Sequence, residues 1–344
     1  MKFKFDDIAI NSTKKKIPEE SDKNVYIGLE HIDSESFTIT RWGAEAAPIG
    51  DKLLMRKGDV LFGKRRAYQR KVAIAPFDGI FSAHGMVLRP KENVVTKEFF
   101  PFFISSDQFM ERAVRISVGG LSPTVNWKDL KEQEFELPPI DEQKVLAEKL
   151  WAAYRLKESY KKLLAATDEM VKSRFIEMFS MDFPVKKWSD CLTITNGKAY
   201  KAEYLKEGAY PICGSGGTMG FVNEAFCSRD SIIIGRKGNI NNPIYMDCDY
   251  WIVDTAFSLN VDRSVLNPRF FYYWCKLFDF SKYNKQGVLP SLTKTDLLNI
   301  DIPIPPLDLQ EEFERIYNQA DKSGFELRKS IESIDSVIKS LINN

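Results

Sequence analysis

The sequence predicts an α+β chain built as an internal duplication. Two mixed α/β domains are each followed by a long helix, and the two helices pair as an antiparallel coiled coil with pseudo-twofold internal symmetry. Three observations predict this. A Gly- and Pro-bearing segment occurs twice at a fixed offset. Each copy runs into a long stretch with heptad spacing. Each is preceded by short β-branched or aromatic runs bounded by turn formers.

The repeat comes first because it organises the rest. Residues 120–143, GLSPTVNWKDLKEQEFELPPIDEQ, align without a gap over residues 287–310, GVLPSLTKTDLLNIDIPIPPLDLQ, an offset of 287 − 120 = 167. Eight positions are identical: Gly120/Gly287, Pro123/Pro290, Asp129/Asp296, Leu130/Leu297, Pro138/Pro305, Pro139/Pro306, Asp141/Asp308 and Gln143/Gln310. That is well above chance for so short a window. Upstream, residues 57–64 (KGDVLFGK) lie over residues 229–236 (RDSIIIGR), and Phe99-Phe100 over Phe270-Phe271. The duplication therefore spans most of each half. It divides the chain into a first globular domain (1–140), a central helix (141–181), a second globular domain (182–307) and a C-terminal helix (308–344).

Each Pro-Pro stops the element before it, and Asp141 and Asp308 are placed to cap the helices that follow. Along the first helix, apolar or small residues fall at Leu146, Leu150, Ala153, Tyr160, Leu164, Thr167 and Val171, with Lys157 breaking the seam once. Along the second, Leu327, Ile331, Ile334, Ile338 and Leu341 step four and three. This is the seam of a coiled coil, and each helix would be on the order of 50 Å long.

The globular halves read mainly as strands. Val60–Phe62, Val72–Ala75, Ile232–Ile234 and Trp251–Val253 are the clearest. Short Phe- and Tyr-rich helices are expected around Thr96–Phe109 and Pro268–Phe280.

With 344 residues and 44% hydrophobic content, the chain can bury two cores. No apolar run approaches the roughly 20 residues of a membrane span. The N-terminal stretch has no apolar segment of the signal-peptide kind. The five cysteines, Cys191, Cys213, Cys227, Cys248 and Cys275, form no C-x-x-C pair. Reduced thiols in the cytoplasm are the expectation.

A net charge of +1 does not advertise a polyanion partner. A nucleic-acid binder with this balance must segregate its cations locally. One such cluster is present: Lys64, Arg65, Arg66, Tyr68, Gln69, Arg70 and Lys71 lie between two strand-like runs, without an acid among them. The repeat places Arg236, Lys237, Asn239, Asn241 and Asn242 at the equivalent point. Arg and Lys can pair with guanine or neutralise phosphate, and Asn and Gln can pair with adenine. Either loop alone would ordinarily be a solvated surface. Two at equivalent positions favour base reading. A glycine-rich stretch, Gly214–Gly220, reads as a flexible loop or plain turn. Through Gly216 and Thr218 it could approach a DNA backbone. It is neither a Walker loop nor a dinucleotide fingerprint.

Catalysis has little support. The two histidines, His31 and His84, have no metal-like partner, so neither catalytic nor metal-binding residues are expected. Asn242-Pro243-Ile244-Tyr245 is faintly similar to the N-P-P-[YF] of adenine methyltransferases but lacks the second proline.

With these residues in view, the chain resembles the specificity subunit of type I restriction-modification systems. ELPPIDEQKVLAEKL, DIPIPPLDLQEEFERIY, GDVLFGKRRAYQRKVAIAPFDGIFSAHG, YPICGSGGTMGFV, SIIIGRKGNINNPIYM and WIVDTAFSL carry the likeness. The resemblance implies that the globular domains are target-recognition domains, each reading one half of a split, asymmetric site on double-stranded DNA. It implies a non-catalytic scaffold for two modification (methyltransferase) subunits and two restriction (motor/nuclease) subunits. The cofactors, S-adenosylmethionine, ATP and Mg, would belong to those partners, with none in this chain. Two other readings remain open at this point: the recognition subunit of a type IIB system, and a coiled-coil scaffold that does not touch DNA.

Overall fold

The computed structural model describes residues 1–200, 208–284 and 290–343. In the first repeat these form β1 (Lys2–Lys4), α1 (Phe5–Ile8), β2 (Ala9–Ser12), β3 (Lys15–Lys16), β4 (Tyr26–Ile27), β5 (Lys52–Met55), β6 (Val60–Phe62), β7 (Val72–Ile74), β8 (Gly79–Phe81) and β9 (Met86–Pro90). Then come α2 (Phe100–Ser105), α3 (Asp107–Arg115), α4 (Trp127–Leu130), β10 (Glu134–Glu136) and the long α5 (Ile140–Met178). The second repeat contains β11 (Val185–Lys187), β12 (Leu192–Asn196), β13 (Tyr210–Gly214), β14 (Gly217–Val222), β15 (Ser231–Gly235), β16 (Ile244–Met246), β17 (Trp251–Ile252) and β18 (Ala256–Val261). It continues through α6 (Pro268–Leu277), α7 (Lys294–Leu298), β19 (Asp301–Pro303) and the long α8 (Leu307–Asn343).

The chain packs as two compact units. The first takes Met1–Lys162 together with Lys329 onward, and the second is Leu163–Arg328. Each unit thus contains one globular part and a stretch of both long helices.

The duplication extends to strand pairing. In the first unit β2-β9-β6-β7 form an antiparallel sheet, and in the second β12-β18-β15-β16 repeat that order. A ribbon of β1 with β10 is matched by β11 with β19. A parallel pair, β4 with β8, is matched by β13 with β17. The strands flanking that parallel pair differ. The first unit adds β5 and β3, and the second adds β14.

Aromatic residues fill both cores. In the first, Phe5, Phe62, Phe100, Phe102, Phe103, Phe109 and Phe135 pack with Ala147, Leu150 and Tyr154 of α5. Ile338, Leu341 and Ile342 of α8 cover the same core. In the second, Trp188, Phe257, Phe270 and Phe271 pack with Val171 and Phe175 of α5 and Phe313 of α8. Burying each such side chain contributes roughly 1.5–3 kcal/mol. Of the heptad residues, Leu146, Leu150, Ile338 and Leu341 pack in the first core and Val171 in the second. Leu150 and Val171 are buried, and Leu146, Tyr160, Leu164, Leu327, Ile331, Ile334, Ile338 and Leu341 are half-buried.

Lys157, which interrupts the apolar seam, is also buried. Its Nζ pairs with Asp335 of α8, the lysine being 5% exposed and the aspartate 31%. In the second unit Arg174 lies 3.9 Å from Glu312 and Phe175 packs edge-on against Phe313.

Two details depart from the sequence reading. The helix expected over Thr96–Phe109 is two helices, broken at Ser106, whose extended backbone and hydroxyl cap α3 through Phe109 N. Neither Asp141 nor Asp308 is at the N-cap position, although Asp308 Oδ1 accepts from Leu309 N at 3.0 Å. The long helices begin one residue earlier, so both acids sit inside the first turn, where they still favour the positive end of the helix dipole.

The junctions instead depend on two glutamines. Gln143 is buried, accepts from Thr96 N at 2.9 Å, and donates to Val94 O at 3.0 Å and Pro138 O at 2.9 Å. Gln310 repeats this. It accepts from Asn267 N at 2.8 Å and donates to Val265 O at 3.1 Å and Pro305 O at 2.8 Å. Each side chain ties the start of a long helix to the loop before α2 or α6, so that helix and domain are braced at one point.

Candidate nucleic-acid interface

The basic loop of the first unit joins β6 to β7, which pair antiparallel. A single turn of 3-10 helix, Ala67–Gln69, is flanked by Arg66 and Arg70, both left-handed with φ of 57° and 52°. A non-glycine residue in that region costs about 1–2 kcal/mol. Two such arginines on one loop mark a conformation held against its local preference.

What holds it is the Gly-x-x-Pro segment of the repeat. Arg66 N donates to Pro123 O at 2.7 Å, Val125 N donates to Lys64 O at 3.0 Å, and Arg65 bridges Thr124. In the second unit Gly238 N donates to Pro290 O at 2.9 Å, Leu292 N donates to Arg236 O at 2.9 Å, and Lys237 bridges Ser291. The same three-point main-chain clamp is built twice from residues far apart in sequence. It explains why Pro123 and Pro290 are equivalent: a proline carbonyl accepts, and its missing N–H leaves no donor to satisfy.

The candidate residues divide by what their side chains already do. In the first loop Tyr68 is 54% exposed and Arg66 is also exposed. Arg65 and Arg66 each donate from Nη2 to Ser122 Oγ at 3.2 Å. Lys64 is half-buried; desolvation, with Lys15 beside it, lowers its affinity for a proton. Gln69 is half-buried, its carbonyl accepting from Ser34 Oγ. Arg70 and Lys71 have structural roles. Arg70 donates to Ser105 O at 2.8 Å and pairs with Asp107 at 2.6 Å, and Lys71 Nζ donates to Leu29 O at 2.6 Å.

In the second loop Arg236, Lys237, Asn239 and Asn242 are exposed. Asn241 is engaged: its Oδ1 accepts from Phe280 N at 2.8 Å and its Nδ2 donates to Asp279 at 3.3 Å. Tyr245 of the N-P-I-Y stretch is an anchor, its hydroxyl donating to Asp230 at 2.9 Å beneath the Arg269 guanidinium. Burial pushes it up to about 12.

Of the two readings of the glycine-rich stretch, loop or plain turn, the structure shows the turn. Gly214 pairs with Gly217, so Ser215 and Gly216 form the two-residue turn of the β13–β14 hairpin. Gly217 has a φ of 108°, a value that favours glycine. Gly216 and Thr218 are exposed at its tip, with Thr218 Oγ1 3.6 Å from Cys213 Sγ.

Folding also adds residues that linear reading did not select. His84 Nε2 lies 3.5 Å from Arg65 Nη1. Desolvation and the neighbouring Arg65, Lys64 and Lys52 cations push this imidazole below its ordinary value. Ser122 and Lys15 join the same cluster. No linear spacing signals them, since Ser122 is 57 residues from Arg65. Only the repeated Gly-x-x-Pro segment hints that this region is special.

Among the described residues, no group of three or more His, Cys, Asp or Glu side chains is placed to hold a metal. Four of the cysteines are buried and Cys248 is exposed, all as free thiols. No helix among the described residues is long and apolar enough to cross a membrane. The arrangement offers donors and cations on both clamps, and an exposed aromatic ring, Tyr68, on the first, which suits binding to a polyanion that displays acceptors.

Comparison with known proteins agrees with this geometry. The family profile described as "Type I restriction modification DNA specificity domain" matches residues 1–166 and again residues 181–334. The Escherichia coli type I restriction enzyme EcoDI specificity subunit is 25% identical over 225 residues, covering 62% of this chain and 49% of that protein. The chain thus spans about half the length of this curated relative. Among solved structures, the S subunit of a type I restriction-modification system from M. genitalium superposes with a TM-score of 0.67 at 17% identity. That match covers 99% of this chain and 94% of the other. A chain from a structure of type I R-M complex assembly and conformational transition gives 0.57 at 17% identity, covering 99% and 96%. At such identities the likeness is one of fold.

Proposed function

Because the chain belongs to the type I restriction modification DNA specificity family, we propose that it is the DNA-reading subunit of such a system, each unit reading one half of a bipartite, asymmetric site on double-stranded DNA. The observation that carries this is the duplicated clamp. Identical main-chain bonds present a polar loop in each unit, while the side chains differ: half-buried Arg65 with exposed Arg66 and Tyr68 in one, exposed Arg236, Lys237, Asn239 and Asn242 in the other. A repeated frame with divergent side chains suits a site whose halves differ. Insertion of each loop into the major groove follows, since only there are all four base pairs distinguishable.

The chain itself is read as non-catalytic. Two modification subunits bringing S-adenosylmethionine, and two motor/nuclease subunits using ATP and Mg, are the proposed partners. The long helices support a docking role. Val145 and Leu156 on the first unit's stretch of α5, and Leu163 and Met170 on the second's, are each between 45% and 52% exposed. These apolar side chains do not join either core, so a helical partner is a reasonable occupant.

The test is the methylated motif produced by the chain together with a modification subunit. Replacing residues 1–140 with the corresponding domain of another specificity subunit is expected to change one half-site and leave the other. An unchanged motif after the exchange would sink the proposal. Binding should also weaken steeply with salt, log affinity falling with a slope of about −0.9 for each phosphate neutralised.

A further inference from the structure

Resting on that reading, we infer that Ser122 is a specificity-determining residue of the first unit, positioning Arg65 and Arg66 as a pair that reads adjacent guanines. Its hydroxyl oxygen accepts from Nη2 of both arginines at 3.2 Å. The two Nη2 atoms therefore lie no more than 6.4 Å apart, twice that distance. Base pairs in duplex DNA rise by about 3.4 Å, so the pair spans one or two steps. A serine oxygen has two acceptor lone pairs, and both are taken here. Its proton points away from the two guanidinium groups, which carry no acceptor.

The rest of the loop is built to hold that oxygen in place. Val118 and Thr124 exchange both main-chain hydrogen bonds, at 3.0 and 2.9 Å, closing residues 119–123 into a short hairpin tip. Gly119 supplies the positive φ of 116° that the closure needs. Arg65 is steadied from the other side by His84 at 3.5 Å and by its own N–H on His84 O at 3.1 Å. Without the serine, two long cations on one exposed loop would repel and disperse, keeping their attraction for phosphate but losing a shared orientation. Bidentate pairing with guanine O6 and N7 depends on that orientation, whereas phosphate contact does not.

In the second unit the aligned residue is Leu289, a residue type that carries no hydroxyl. Arg236 instead lies 5.9 Å from the Phe257 ring centroid. Paired-guanine reading is therefore assigned to the first half-site alone.

Selection from a pool of randomised duplexes, using the full chain purified with a modification subunit, tests this. The wild-type protein is expected to enrich a bipartite motif with adjacent guanines in one half. Ser122→Ala should lower the preference for those guanines about tenfold. The other half-site, bulk affinity for mixed duplex and the melting temperature should be unchanged, and Ser122→Thr should restore the preference. If Ser122→Ala keeps the guanines, the inference is overturned while the functional reading stands. If it weakens all duplexes equally, Ser122 serves phosphate contact and the inference is again overturned. If the wild-type protein enriches no motif, both fall.

Discussion

Gln143→Leu and Gln310→Leu test whether one hydrogen-bonding device braces each repeat. Leucine conserves most of the volume and removes every polar atom. In the first unit it strands three backbone groups, Thr96 N–H, Val94 C=O and Pro138 C=O, now bonded at 2.9–3.0 Å. Each buried group left unpaired costs about 1–3 kcal/mol. The carbonyls retain a second lone pair, and leucine regains some apolar contact, so a net loss of about 3–5 kcal/mol is expected. That is a large share of the roughly 5–15 kcal/mol that stabilises a typical domain. Gln310→Leu should cost as much through Asn267, Val265 and Pro305. The two sites share no partner, so the double variant should show the sum within about 0.5 kcal/mol. Urea unfolding followed by hydrogen exchange reads both quantity and place. Gln143→Leu should loosen the first unit and Gln310→Leu the second. A loss below about 1 kcal/mol, or loosening of the wrong unit, would refute the reasoning.

Three further expectations follow from the site and its supports. Asp335→Ala leaves Lys157 buried without its counter-charge and should destabilise by about 3–5 kcal/mol, whereas Lys157→Met with Asp335→Leu should recover most of that; denaturant midpoints decide it. Arg66→Gly removes a left-handed side chain and should raise stability by about 1 kcal/mol while weakening duplex binding; a variant that is both less stable and fully binding contradicts the assignment. His84 should couple binding to pH. Its folded-state proton affinity is depressed, so the unfolded chain binds more protons as pH falls below about 6.5, and the stability it contributes above that value is lost there. Nearby phosphate reverses the sign for binding by favouring the imidazolium, so affinity should rise over the same window. A flat pH profile in the wild type, or an unchanged one in His84→Gln, would contradict this.

Much of the frame is legible in one dimension because it is periodic or repeated. Val60–Phe62 and Ile232–Ile234 read as strands and fold as β6 and the centre of β15. The heptads announce α5 and α8. The identity of Gln143 with Gln310 is visible, but not its reason, because two of each glutamine's three partners lie 43–49 residues upstream. The interface is less legible for the same cause. Arg70, Lys71 and Asn241 look like surface cations and amides in a string of letters. In three dimensions they cap and tether neighbouring main chain. Ser122 and His84 carry no linear signal and become neighbours of Arg65 only when the hairpins close. Residues 214–220 left loop and plain turn both open, because composition does not reveal that two strands flank the turn.

The clamp on each loop is made of amide and carbonyl groups alone. Such a holder is indifferent to what it holds: it grips the chain at every identity except proline at the donating positions. The exposed side chains of Arg66, Tyr68, Arg236, Lys237, Asn239 and Asn242 can therefore be rewritten without disturbing the sheet beneath, much as type is reset in a fixed frame. A library varying those positions in one unit should remain largely folded.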